Sequence, residues 1–403
     1  MTTIYSLLII ESFFITLFLL LALCPIANKI GHTDRPSSRK RHSGDIPLIG
    51  GLSIYLCILM LFYWLPIKSY AYLISASLIV ACGVIDDNRE LSAKARLFVE
   101  LIAAIIMIKW GGIEIVNLGN LLGFGDVSLG YFSSVFTIFA IIGGINAFNM
   151  LDGIDGLAGT LSLLVFILIL IVSFNTPEIA TLCLLFIPAI SAFLLFNLRI
   201  FGRKKASVFL GDTGSMLFGF TIACLIIYAS QGENNIISPI TVLWIIAIPL
   251  FDSVSIMLRR IRKGRSPFAP DREHFHHILL LAGYTVNQTV GIIILFAFGA
   301  GSFGILGDLL LNLPDWLMFY MFLSLFYLYY WGMTHAWKMM KIARYLLEHK
   351  NDRRQTQRRK KDLSYSGNNR RTLFNRRSGK DRRYHDIEKE LYKDRRRKFS
   401  FSL

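Results

Sequence analysis

Apolar runs of about 17–23 residues fill most of the first 340 positions of this 403-residue chain. Each run is long enough to cross a hydrocarbon core of about 30 Å as a helix. Charged residues make up 17% of the chain and hydrophobic ones 54%. A typical soluble domain carries about 25% charged residues. The expected fold class is therefore all-α, a polytopic membrane protein of about eleven transmembrane helices. The expected spans are 5–27, 48–66, 70–86, 95–109, 133–151, 156–174, 180–197, 207–229, 240–258, 286–308 and 316–337. The run from Ile4 to Leu23 is too long for a signal h-region and lacks a basic leader and a small-residue cleavage site, so it reads as a retained span.

The formal charge of +16 is unevenly placed. Residues 338–403 hold 23 Lys and Arg against 8 Asp and Glu, a net of +15, which leaves +1 for the rest. The chain thus divides into a membrane-embedded domain, 1–340, and a basic tail, 341–403, of disordered composition. The tail repeats Asn369-Arg370-Arg371, Asn375-Arg376-Arg377 and Asp381-Arg382-Arg383 with period six. Its expected partner is a surface of anionic lipid, with a protein partner as the second reading. The five cysteines all fall inside apolar runs without CxxC spacing and read as packed thiols.

Cation placement sets the orientation, because cytoplasmic loops are enriched in Lys and Arg. Lys29, Arg35, Arg39, Lys40 and Arg41 follow the first span. Arg199, Arg203, Lys204 and Lys205 separate the seventh from the eighth, and Arg259, Arg260, Arg262, Lys263, Arg265 and Arg272 follow the ninth. The alternate connections, 111–131, 231–239 and 307–315, hold no Lys or Arg. Eleven spans put every basic loop on one side, with the N-terminus outside and the C-terminus cytoplasmic.

Five carboxylates gather near that side. Asp86 and Asp87 end the third span, Asp152 and Asp155 lie between the fifth and sixth, and Asp212 opens the eighth. A charge at mid-bilayer costs about 2.5–3.5 kcal/mol on insertion scales, so these groups belong at span ends, facing inward. Gathered there, they repel one another unless a cation binds. Oxygen donors without cysteine suit a hard ion such as magnesium. A helix cap or solvated turn is the alternative for any one of them.

Local sequence adds detail. Asn146 and Asn149 share a helix face with i, i+3 spacing. The Asp152-Gly153-Ile154-Asp155-Gly156 string predicts a break in the helix near Gly153. The Phe209-to-Ser215 string opens a helix with small residues, suited to a diphosphate at a helix N-terminus. Ser92 reads as an N-cap. Lys94 then stands in a first helical turn, unfavourable for a cation, and reads either as a phosphate ligand or as a cytoplasmic anchor. Arg96 and Glu100 are spaced for an i, i+4 pair. Asp252, deeper in the ninth span, requires a partner that the sequence does not name. The segment from Arg265 to His277 holds His274, His276 and His277 without zinc-site spacing, and reads as a diphosphate grip or as a basic loop.

Taken together these strings resemble the polyprenyl-phosphate N-acetylhexosamine 1-phosphate transferases over about residues 1–340. The resemblance rests on IPLIGG at 46–51, Asp86-Asp87 with Lys94, NAFNMLDGIDGLAG at 146–159, FLGDTGS at 209–215 and SPFAPDREHFHH at 266–277. The histidine string follows the N-acetylglucosamine branch. The pentapeptide-transferring branch carries three consecutive histidines, and the departure argues against that substrate. The resemblance implies magnesium as cofactor, with manganese as a substitute. It implies Asp212 as the metal ligand, with Asp86 and Asp87 positioning metal and lipid phosphate. It assigns Asn146, Asn149, Asp152, Asp155, Lys94 and Phe209 to the nucleotide, His274, His276 and His277 to the diphosphate, and Arg265 to sugar selection.

The implied reaction joins UDP-N-acetylglucosamine to undecaprenyl phosphate at the cytoplasmic face of a bacterial inner membrane. Nucleic acid is not an expected partner, and a homodimer is admitted. A transporter would also show many spans and intramembrane carboxylates. Its site would lie near the midplane between repeated halves, and no such repeat is evident here.

Overall fold

The computed structural model describes residues 2–34, 44–62, 70–200, 202–232, 235–266 and 274–336. The basic tail with its expected lipid contact, and residues 267–273 of the histidine-bearing loop, lie outside them. The described part belongs to one compact unit, Met1–Lys341. It is almost entirely helical. Helix α1 (Thr2–Ile30) leads into a small antiparallel ribbon of β1 (Thr33–Asp34) and β2 (Ile46–Pro47), with Thr33 opposite Pro47. Then come α2 (Gly50–Met60), α3 (Tyr70–Arg89), α4 (Ala93–Lys109), α5 (Ser133–Leu151), α6 (Leu157–Ser173), α7 (Pro177–Asn197) and α8 (Gly211–Ser230). The series continues with α9 (Pro239–Ile245), α10 (Ala247–Arg262), α11 (Phe275–Leu281) and α12 (Val286–Leu309), and ends in a helix over 315–336, here α13.

Among the described residues, six helices are long and apolar enough to cross a membrane: α1, α3, α5, α7, α8 and α12. A seventh arises if α9 and α10 count as one span. Helices α4 and α6 run 17 residues and α2 runs 11, so length and composition alone do not reach the expected eleven. The continuous helix expected at 240–258 is instead two helices bent by 81°. The cause is local. Pro249 has no N–H to give the Ile245 carbonyl, and its ring crowds that turn.

Helix α8 is the axis of the bundle. Nearly its whole length is buried, from Gly211 to Ser230. Lipid tails offer no hydrophobic incentive for helices to associate, so close packing of small residues takes over. Gly51 of α2 lies against Gly214 of α8, where an added Cβ would stand 2.2 Å from the Gly214 nitrogen. Farther along, Phe166 of α6 stacks on Phe186 of α7 at 4.7 Å, and Phe218 of α8 meets both edge-on. Tyr72 of α3 and Thr221 of α8 share a buried hydrogen bond of 2.9 Å. The outward faces of α1, α5 and α12 expose Phe14, Phe18, Phe139, Leu295 and Phe296, as lipid-facing surfaces do.

Polar contacts sort the connections into two ends. At one end, Gln231 bridges Val116 and Asn117, and Asp308 caps α9 through the Ser238 nitrogen and the Thr241 hydroxyl. At the other, the Phe209 nitrogen donates to Pro47, and the Gly50 and Gly51 nitrogens donate to the carbonyls of Phe209 and Leu210. His32 there meets Asn88 at 2.8 Å. The basic connection from Arg199 to Lys205 and the five sequence-singled carboxylates share this second end.

The contact of Gly51 with Gly214 predicts overpacking by any larger side chain. Gly51→Val should destabilise the fold by about 1–3 kcal/mol, seen as a lower midpoint in a detergent thermal melt. An unchanged midpoint would show that α2 and α8 are farther apart than this.

Candidate functional site

The site is built on the N-terminus of α8. The first N–H groups of a helix have no intrahelical acceptor and carry a partial positive charge. Asp87, at the end of α3, supplies the missing acceptors. Its Oδ1 takes the Asp212 N–H at 2.7 Å, and its Oδ2 takes the Thr213 hydroxyl at 2.7 Å and the Thr213 N–H at 3.3 Å. Gly211 has φ +75 and no Cβ, and a Cβ there would stand 2.5 Å from the Asp87 carboxylate. The glycine in FLGDTGS is therefore required twice over.

Asp86 is buried beside it and turns the other way. Its Oδ1 accepts the Leu91 N–H at 2.5 Å, and its Oδ2 faces the Arg96 guanidinium at 3.1 Å, off the hydrogen-bond direction. The expected Arg96–Glu100 pair is thus corrected. Glu100 accepts from the Asn146 amide at 2.8 Å instead, because α5 brings a donor closer than the i−4 neighbour does. Asn146 also donates to the Ile142 carbonyl within α5. Asp212 lies within hydrogen-bonding reach of Asp86 and close to Asp87, with Arg96 the nearby cation.

The Asp152–Gly156 string breaks the chain between α5 and α6 as expected. Leu151 ends α5, Leu157 begins α6, and Gly156 takes the left-handed φ of +84. Asn197 of α7 clamps this turn, accepting the Gly156 N–H at 2.8 Å and donating to the Val208 carbonyl at 2.9 Å. Asp155 Oδ2 accepts from Arg199 at 2.8 Å and from the Ala206 N–H at 3.0 Å, so it tethers the α7–α8 connection. Asp152 is exposed at this turn. Desolvation by the neighbouring chain, followed by the charges of Asp212, Asp87 and Asp155, pushes its acid up to about 8. Asn149 accepts from the Ser215 hydroxyl at 3.2 Å, joining α5 to α8.

The histidines approach the same turn. His276 packs on Gly153, where a Cβ would stand 2.3 Å from its Nε2. Its ring lies 5.4 Å from His274 and 4.2 Å from His277. His276 is buried, and burial followed by the neighbouring His277 and His274 pushes its pKa down to about 3. It is a neutral imidazole, and neither ring nitrogen has a partner. Lys94 and Arg265 are exposed, and Ser92 caps α4 through the Ala95 nitrogen at 3.3 Å. Phe209 is half-buried on the ribbon side.

Asp86, Asp87 and Asp212 therefore stand together, Asp152 lies within electrostatic range of Asp212 and Asp87, and His276 reaches the turn that carries Asp152. Asp155 stands near but faces the α7–α8 connection. Sequence reasoning missed Asn197, the Arg96–Asp86 pair and the Glu100–Asn146 bond. The isolated Asn at the end of an apolar run was the only available signal for Asn197.

The donors present fit a divalent cation, although among the described residues no three His, Cys, Asp or Glu groups form a ready ligand set. All are oxygens. Asp212 and Asp86 are in mutual reach, which demands a shared proton or a cation between them. Asp87 and Asp86 already spend lone pairs on backbone donors, leaving few protein ligands. A magnesium ion keeps several waters and adds phosphate oxygens, so it needs only one or two carboxylates.

Residues 69–230 match the family model described as glycosyl transferase family 4. The undecaprenyl-phosphate alpha-N-acetylglucosaminyl 1-phosphate transferase of Escherichia coli K12 is 40% identical over 338 residues, covering 82% of this chain and 91% of that protein. The enzyme of the same name from Pasteurella multocida is 43% identical over 330 residues, covering 81% and 92%. That from Yersinia pestis is 40% identical over 324 residues, covering 79% and 88%. With sequence, carboxylate cluster and relatives in agreement, the chain belongs to the polyprenyl-phosphate N-acetylhexosamine 1-phosphate transferases, a family of membrane sugar-phosphate transferases.

Proposed function

We propose that this protein transfers N-acetylglucosamine 1-phosphate from UDP-N-acetylglucosamine to undecaprenyl phosphate, giving undecaprenyl-diphospho-N-acetylglucosamine and UMP. The observation that supports the reading is the grouping of Asp86, Asp87 and Asp212 at the start of α8, with Asp152 within electrostatic range, in a chain 40% identical to transferases of that name. The reading includes eleven crossings of a bacterial inner membrane, with the site facing the cytoplasm, the source of UDP-sugars. It makes the reaction the first membrane step of a surface polysaccharide of the O-antigen or enterobacterial common antigen type.

A phosphate monoester has a second pKa of about 6, so the lipid phosphate is mostly ionised at neutral pH. A general base then has little to do. An oxygen of the lipid phosphate attacks the sugar-bearing phosphorus, and UMP leaves from the far side. Charge neutralisation and alignment supply the rate. Asp212, with Asp86 and Asp87 beside it, would hold magnesium or manganese. The ion would neutralise diphosphate charge. Asp87 holds the α8 N-terminus in place, and Arg96 keeps Asp86 oriented. His276 offers the diphosphate one hydrogen bond, from the single N–H of a neutral ring. Lys94, Asn149, Phe209 and Arg265 complete the proposed nucleotide-sugar surface, and the basic tail is assigned to anionic lipids. A two-step route through an aspartyl phosphate is disfavoured, because the lipid phosphate is itself a charged nucleophile.

Purified protein with polyprenyl phosphate and magnesium should release UMP from UDP-N-acetylglucosamine faster than from UDP-N-acetylgalactosamine. No UMP from any UDP-sugar would defeat the reading and favour a transporter. Asp212→Asn should abolish turnover and raise the magnesium requirement. Full activity at ordinary magnesium would remove Asp212 from the metal role. Asp152 holds its proton up to about pH 8, and a cation arriving among these carboxylates must displace it. Magnesium affinity should therefore climb between pH 6.5 and 8, by at most about tenfold per unit for one proton displaced, and level off above that. Calorimetric affinities independent of pH would detach Asp152 from the cluster.

A further inference from the structure

Asp252 stands outside the carboxylate cluster and has no part in the chemistry above. It is completely buried in α10, just past the bend. Three donors from α11, its N-cap and α13 converge on it. Its Oδ2 meets His274 Nδ1 at 2.8 Å. Its Oδ1 accepts the Phe275 N–H at 3.0 Å and the Tyr329 hydroxyl at 2.9 Å. The Phe275 bond caps the start of α11, the helix that carries His276 and His277. Tyr329 comes from α13 and packs edge-on against Phe275, with ring centres 5.6 Å apart.

An ionised carboxylate only accepts hydrogen bonds. His274 must therefore present Nδ1–H to Asp252, which leaves Nε2 as the remaining polar atom of the ring. The His274 ring stacks on His276 at 13° between planes, and His276 rests on Gly153 beside Asp152. A continuous stack thus runs from Tyr329 through Asp252 and the two histidines to the carboxylate turn.

The geometry points to Asp252 and Tyr329 as positioning residues of the site: together they fix the Nδ1–H tautomer of His274 and the angle at which α11 delivers the histidines to the nucleotide-sugar. The inference deepens the proposed function and rests on it. The arrangement predicts what an amide would do. In Asp252→Asn, the two donors on Oδ1 select that position for the amide oxygen. The amide NH2 then takes the Oδ2 position and donates to His274, whose Nδ1 must become an acceptor. The shape is kept and the tautomer is inverted.

The test uses the full-length protein in lipid nanodiscs. Asp252→Asn should lower kcat/KM for UMP release by about 10–100-fold, the usual effect of losing a group that orients a functional histidine. Tyr329→Phe should lower it less. Nitrogen-15 spectra of labelled histidine should show His274 with its proton on Nδ1 in the wild type and on Nε2 in Asp252→Asn. In a His274→Ala background, adding Asp252→Asn should cost little further activity. Three results would overturn the inference. One is an unchanged tautomer in Asp252→Asn. Another is wild-type kcat/KM in that variant. The third is an equal loss with and without His274, which marks a purely structural role and would accompany a lowered thermal midpoint. Inactivity of the wild type towards every UDP-sugar would instead strike the proposed function, and the nitrogen-15 spectra would still decide the tautomer.

Discussion

The Asp87 carboxylate lying across the first turn of α8 is the interaction on which the rest of the site depends. It satisfies backbone donors that a buried helix end would otherwise leave orphaned, and it sits where the helix dipole favours negative charge. It joins the end of α3 to the start of α8 through three hydrogen bonds. That junction sets Asp212 against Asp86. Compensation among the four carboxylates is then unequal. Asp87 has the helix terminus and Asp86 has Arg96 and the Leu91 N–H. Asp212 and Asp152 have no comparable partner among the bonds and ion pairs described. The carboxyl groups without such partners are thus Asp212 and Asp152, the two at which a divalent ion would gain most.

The backbone around this junction explains why the glycine-rich strings are where they are. A membrane bundle is held by close approach and by satisfied polar groups. The Phe209–Leu210 segment is not helical, yet its carbonyls and the Phe209 nitrogen are paired with Pro47, Gly50 and Gly51. Irregular backbone is tolerated at this depth only because protein surrounds it. The bend between α9 and α10 follows the same rule. It turns α10 so that Asp252, a residue too costly to face lipid, meets three donors.

Much of this was legible in the sequence, for identifiable reasons. Carboxylates at span ends and cation-rich loops follow from solvation cost, which acts residue by residue. The break at Asp152–Gly156 followed from helix periodicity and glycine. The pairing errors came from contacts between distant segments. Arg96 and Glu100 have the spacing of a helix pair, but in the fold Asp86 and Asn146 compete for them and win. The 240–258 run read as one span because its hydrophobicity is continuous, although Pro249 carried the signal for a bend. Asp252 announced a need for a partner, and the identity of that partner depends on α11 and α13 folding back onto α10. No local pattern encodes such a return.

The histidine segment was read from sequence as a diphosphate grip or a basic loop, and the structure adds to the physics of that reading. His276 is enclosed, flanked by two other imidazoles and pushed well below neutral pH, so it brings no positive charge to an approaching diphosphate. A neutral ring still orients a phosphate oxygen through one N–H, and it avoids the desolvation cost of a buried cation. In the proposed reaction, charge neutralisation would then come from elsewhere: from an ion at Asp212, and from exposed groups such as Lys94 and Arg265. The two halves of the site divide the work accordingly. The α8 terminus gathers carboxylates that a proton or the proposed metal would balance. The α11 helix supplies direction without charge, and Asp252 is the residue that sets that direction.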